Sequence, residues 1–258
     1  MVPNISNRIF WYRNVGTPQQ PRFGPKRQVI CDGFPENEMT LADTARRLGA
    51  ETKEWLKRVP DPNSPFGWRS RAGFGDFNGD GLMDMITTDS QGPTASNGFA
   101  EHSALFVQYR DGRGQLRLRR DRTITLPDGS PMKNVGGQPA QTIPVDWDGD
   151  GLQDLVINHG RTMDTAPAVL RNIGTRTNPR FDCPKRLACW GRELTGIAKH
   201  GPYYGVGDLD DDGRPDLLAC PEMGTYHFFR RSVLEMPHRP TIVFGTATAS
   251  QGRAGFRR

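Results

Sequence analysis

Asp76-Phe77-Asn78-Gly79-Asp80-Gly81-Leu82-Met83-Asp84 carries an oxygen-bearing side chain at positions 1, 3, 5 and 9, and the chain repeats this arrangement at Asp146–Asp154 and Asp208–Asp216. Alternate residues of such a stretch can turn towards one centre, and the oxygens they bring suit a hard dication that takes six to eight ligands. The ligand set of the first loop is Asp76, Asn78, Asp80, the carbonyl of Leu82, and Asp84. The second offers Asp146, Asp148, Asp150, the Leu152 carbonyl and Asp154, and the third Asp208, Asp210, Asp212, the Arg214 carbonyl and Asp216. Gly81, Gly151 and Gly213, at position 6, permit the sharp turn around an ion. Asp-Gly pairs are common in plain surface turns. Three or four carboxylates forced within a few ångströms, however, repel one another by several kcal/mol unless a cation or protons intervene. Ca²⁺ is therefore the expected ligand at three sites. Mg²⁺ suits them less, because it demands a strict octahedron and retains waters. An EF-hand starts the same way but needs a bidentate Glu at position 12. Here that position is Thr87, Ile157 and Ala219, so the ninth-position Asp must close the site.

Each loop needs an element to hold it, and the flanking sequence repeats too. Apolar runs follow every loop (Met85-Ile86, Leu155-Val156-Ile157, Leu217-Leu218-Ala219) and suit strands buried on both faces. A second motif, Tyr12-Arg13-Asn14-Val15-Gly16-Thr17 with Gln20-Pro21-Arg22-Phe23, returns as Leu170-Arg171-Asn172-Ile173-Gly174-Thr175 with Asn178-Pro179-Arg180-Phe181. A degenerate copy is expected between Phe228 and Phe244. The loops' first aspartates lie 70 and 62 residues apart, room for about four short strands per unit, which is the size of a β-propeller blade with long connections. Between Glu36 and Val59, Leu41, Ala45, Leu48, Trp55 and Leu56 fall at helical spacing, with Thr40 as N-cap and Gly49 as C-cap. One or two short helices inserted between blades are expected there.

The loops and the strands after them resemble the FG-GAP and VCBS repeats of integrin-type β-propellers. Phe74-Gly75 and Gly205-Val206-Gly207-Asp208 are similar to that family's entry sequence, and the R-N-[VI]-G-T and P-R-F elements resemble its bacterial VCBS version. The resemblance runs from about residue 9 to 245, weakest over 33–72. It implies an all-β propeller whose ions rigidify the outer loop of each blade, with Asn78 weakening the first site. The expected division is a partial blade at 8–33, a helical insertion at 34–72, blades at 73–135, 136–200 and 201–247 with one calcium loop each, and a tail at 248–258. That gives 3.5 to 4 blades, fewer than the six to eight of most family rings, and implies a fragment, a truncated frame or part of an assembly. Exposed strand edges would then invite self-association.

Composition narrows function less. Net charge is +5 and 28 of the 34 basic residues are Arg, which binds carboxylates and phosphates bidentately. No run approaches a membrane span, and Met1–Gly16 shows no apolar secretory segment. The family resemblance nevertheless implies a secreted, periplasmic or cell-surface location, where calcium is plentiful. Cys31, Cys183, Cys189 and Cys220 form no C-x-x-C pair, so a zinc ribbon is excluded and buried packing or one disulfide is expected. There is no G-x-S-x-G, no H-E-x-x-H and no phosphate-cradling loop, and the five histidines are scattered. The reading is a noncatalytic binding or adhesion scaffold for an acidic glycan or a protein, with no nucleic-acid partner expected. The alternative is a polysaccharide lyase, since one lyase family resembles this repeat.

Overall fold

A computed structural model of the chain describes residues 2–3, 9–33, 71–88, 103–132, 141–158, 166–195, 197, 203–221 and 225–236. The expected helices at 36–59 lie outside the described residues. So do the tail and His102, His159, His200 and His238.

The described chain is all-β, built from small antiparallel sheets. An N-terminal sheet joins β1 (Val2–Pro3), β2 (Ile9–Trp11) and β3 (Arg27–Gln28). Sheet A runs β4 (Arg71–Gly75), β5 (Asp84–Thr88), β6 (Ser103–Arg110) and β7 (Leu116–Thr123), each strand paired with its sequence neighbour. Sheet B repeats that meander with β8 (Thr142–Val145), β9 (Asp154–Ile157), β10 (Ala168–Leu170) and β11 (Lys185–Arg186). The short strands β12 (Ala188–Cys189) and β13 (Arg192–Glu193) follow. Sheet C holds β14 (Tyr203–Gly207), β15 (Asp216–Cys220) and β16 (His227–Phe229). A single 3₁₀ turn at Arg231–Val233 then leads to β17 (Leu234–Glu235), which pairs with β12 and so ties the end of sheet C to the end of sheet B. Strand β4 begins at Arg71, two residues ahead of the expected start of its blade.

The sheets stack face to face because their second strands are apolar at consecutive positions. Leu155 and Ile157 of β9 pack with Ile86 and Leu105 of sheet A, while Val156 between them packs with Leu217 and Ala219 of sheet C. On its other face sheet A buries Met85, Ala104, Phe106 and Leu118 against Ile9, Val29 and Cys31 of the N-terminal unit. Adjacent side chains of a strand point to opposite faces, so a continuous apolar run means a sheet covered on both sides. The first strands approach closely. A Cβ at Gly73 of β4 would fall on the Thr142 carbonyl oxygen of β8 and 2.6 Å from Pro144 Cδ, so glycine is required for that contact. Gln141 beside β8 exchanges two hydrogen bonds with the Tyr204 backbone of β14, each at 2.8 Å. At the other end, Asp32 accepts hydrogen bonds from Tyr109 and from Arg117 (2.9 Å), anchoring the N-terminal unit to sheet A.

The repeated motif folds identically in both copies. Asn14 Oδ1 accepts from the N–H groups of Gly16 and Arg22 at 2.9 and 3.0 Å, and Asn172 Oδ1 from Gly174 and Arg180 at 3.0 and 3.1 Å. Thr17 and Thr175 each accept a backbone N–H three residues on. A short polar side chain thus substitutes for the backbone in a tight turn. The four cysteines are free thiols, Cys31 being buried.

Candidate metal centres

Each acidic loop connects the first strand of a sheet to the second: β4 to β5, β8 to β9 and β14 to β15. The loops are held open by left-handed backbone at positions 4 and 6. Gly79 and Gly81 have φ of 78° and 80°, Gly149 and Gly151 79° and 86°, and in the third loop Asp211 (59°) stands where the others have glycine, ahead of Gly213 (82°). Sequence reasoning assigned a role to position 6 and missed position 4, although Gly79 and Gly149 were the visible signal.

The first aspartate organises the turn. Asp76 accepts from the N–H groups of Gly79 (2.6 Å) and Gly81 (3.1 Å), Asp146 from Gly149, Asp150 and Gly151, and Asp208 from Asp212 and Gly213. Position 5 braces position 7: Asp80, Asp150 and Asp212 accept the N–H of Leu82, Leu152 and Arg214 at 2.8, 2.8 and 2.9 Å.

The ninth aspartate has a second duty that the sequence did not disclose. Asp84, Asp154 and Asp216 have no exposed surface. One oxygen of each accepts the N–H of position 2 (Phe77, Trp147, Leu209) at 2.9–3.0 Å. The other accepts a backbone N–H from within or just after the third strand: Gln108 at 2.8 Å, Asn172 at 2.6 Å, Arg231 at 2.7 Å. Each carboxylate therefore clips loop to sheet. Its oxygens retain acceptor capacity, because a carboxylate offers about four lone-pair directions.

The structure brings positions 1, 3 and 9 together in two of the loops. Asp146, Asp148 and Asp154, and likewise Asp208, Asp210 and Asp216, each place one carboxylate oxygen within 4.8 Å of the other two. Asp150 and Asp212 are outside these triads. In the first loop Asn78 replaces the third carboxylate and instead bonds Asp80 through its Nδ2 at 3.0 Å. Burial, together with the neighbouring charges of Asp80 and Asp76, pushes Asp84 up to about 6 against the two N–H groups that favour its anion. Burial likewise raises Asp154 to about 6, with Asp148 and Asp150 adding to it. Burial also works against the charge of Asp76, but the N–H groups of Gly81 and Gly79 and the Arg176 guanidinium hold it below the usual range.

The donor set fits a divalent cation on two counts. Three carboxylate oxygens this close repel one another, and Asp210 Oδ1 is buried without a hydrogen-bond partner. Guanidinium groups reach the rims: Arg176 contacts Asp76 at 3.4 Å, Arg171 Asp148 at 3.3 Å, and Arg230 Asp210 at 3.2 Å. Two acidic triads can thus hold a metal ion. Comparison with protein-family models, with curated proteins and with solved structures finds no match to this chain. Of the histidines, His227 is described and stacks on Phe229 with ring centroids 6.3 Å apart.

Proposed function

We propose that the chain is a calcium-binding repeat protein of the FG-GAP/VCBS kind, a noncatalytic scaffold in which cations lock the loops of successive propeller blades. The observation that carries this reading is the recurrence of one carboxylate triad at the same place in sheets B and C, each closed by an aspartate that also clips the loop to the third strand. Oxygen-only donors favour Ca²⁺ over softer ions, and a loop closed by hydrogen bonds rather than a rigid cage suits a tolerant coordination sphere. The first loop, with Asn78 in place of a carboxylate, is the weakest of the three sites. The +5 net charge and the Arg-rich composition support an acidic ligand, a carboxylated glycan above all, for the surface these blades present. An ion requirement of this type fits an extracellular setting. Among the described residues no helix is long and apolar enough to cross a membrane.

Calorimetric titration of metal-stripped protein with CaCl₂ tests the reading. Uptake is expected at two stronger sites and one weaker, with Mg²⁺ inferior. Each saturated site should stabilise the fold by about 2.7 kcal/mol when calcium is about 100 times its Kd, read as a rise in melting temperature. Asp148→Asn and Asp210→Asn should each turn one strong site into a weak one of the Asn78 kind. A melting temperature indifferent to calcium and chelator rejects the proposal. A screen of acidic and neutral glycans with and without calcium then tests the ligand class.

A further inference from the structure

We propose that the two ends of this stack of sheets are the halves of one interface, and that the N-terminal sheet of one copy docks on sheet C of a second copy, seating Phe23 over Leu209. The template for the contact lies inside the chain. Phe181, from the P-R-F element of sheet B, packs edge-on against Phe77, the position-2 residue of the loop in sheet A, with centroids 6.3 Å apart. Both are 2% exposed. Trp147, the position-2 residue of sheet B, is covered by the following sheet, where the Arg231 guanidinium lies 4.7 Å from its ring centroid. Sheets A and B thus offer their loop residue to the sheet that follows, and sheet B offers its P-R-F phenylalanine to the sheet that precedes.

At the ends no such partner stands opposite among the described residues. Phe23 occupies the place of Phe181 in the same turn, bridged to Asn14 as Phe181 is to Asn172, yet it is 68% exposed. Leu209 occupies the place of Phe77 and Trp147 and is 56% exposed. A second pair of positions says the same. Leu170 of β10 is buried against sheet A, and its counterpart Tyr12 is exposed; Val169, paired with Val156, is buried against sheet C, and its counterpart Phe228, paired with Leu218, is exposed. Among the described residues, one end therefore has no preceding sheet and the other no following sheet. Because all four side chains are exposed, the ends do not cover each other within one chain. Large apolar side chains exposed at positions that are buried elsewhere in the repeat call for a partner. The surface that matches each end is the other end of the same protein, so the contact is heterologous, head to tail. Counting the N-terminal sheet and sheets A, B and C as one blade each, two copies joined twice in this way give eight blades, within the range of closed rings; this count rests on the propeller reading above.

Sedimentation velocity on the full chain at several concentrations, in calcium, is the test. The expected species has twice the 28.8 kDa of one chain. Phe23→Asp and Leu209→Gln should each give monomers with unchanged circular dichroism. Mixing the two variants should restore a pair, since one variant keeps the tail surface and the other the head, and a misfolded variant could not do this. A wild-type monomer, a ladder of larger species, variants that remain paired, or a mixture that stays monomeric overturns the proposal. Calcium uptake by the same samples, read calorimetrically, separates its failure from failure of the metal reading.

Discussion

Asp84 and Asp154 show how a single residue serves two ends, because each is the last carboxylate of an acidic loop and a buried acceptor for two backbone N–H groups. Their carboxyl groups are raised from an ordinary value near 4 to about 6, chiefly by burial. In metal-free protein the folded state then holds protons more tightly than the unfolded chain between those values. Stability from these two groups is therefore full at low pH and falls as pH rises from about 4 to about 6. Asp76, held low, contributes with the opposite sign. Comparing urea denaturation of metal-stripped wild type with an Asp84→Asn/Asp154→Asn variant isolates the effect: wild type should lose ground to the variant across that window, and added calcium should turn the comparison in favour of wild type, which keeps both ninth-position ligands. The two carboxylate triads were legible in sequence because each member is marked by a side-chain type at fixed spacing. The clipping role was not, because its donors are the backbone N–H groups of Gln108, Asn172 and Arg231, and a backbone group leaves no mark on residue identity.

Among the elements, the Asn-Gly turn is the most clearly repeated and the best internal control. Asn14 and Asn172 make equivalent hydrogen bonds, but Asn172 is buried and Asn14 is exposed. Removing a buried acceptor leaves two N–H groups without water to replace it, whereas solvent can satisfy the exposed pair. Asn172→Ala should cost about 2–3 kcal/mol and Asn14→Ala about 1 kcal/mol or less in denaturant titrations. The repeat itself was visible from the matching letters. The unequal burial of its copies depends on which sheet lies alongside, information that resides in the stack and not in either segment. The strands β5, β9 and β15 were readable for the converse reason: burial on both faces demands an unbroken apolar run, and that run is written in the chain.

For the whole molecule, the spacing of the stack is set where first strands meet. Gly73 admits the Thr142 carbonyl and Pro144 ring, so Gly73→Val must force β4 from β8. The expected cost is about 3 kcal/mol, the upper part of the range for overpacking a filled contact, measured by chemical denaturation. An all-β organisation with an acidic loop in each of three sheets was legible. The division of labour between the ends was not, since Phe23 and Phe181 are written in the same motif and differ only in what stands opposite them. One feature of β9 also limits how such a chain can vary. With Leu155 and Ile157 turned towards one neighbour and Val156 towards the other, deleting a single residue there would exchange the two sets and present each sheet with the wrong partner. Gains and losses of length are thereby confined to the connections, so divergent copies of this architecture should differ in the size of their joins while the strands keep a constant count.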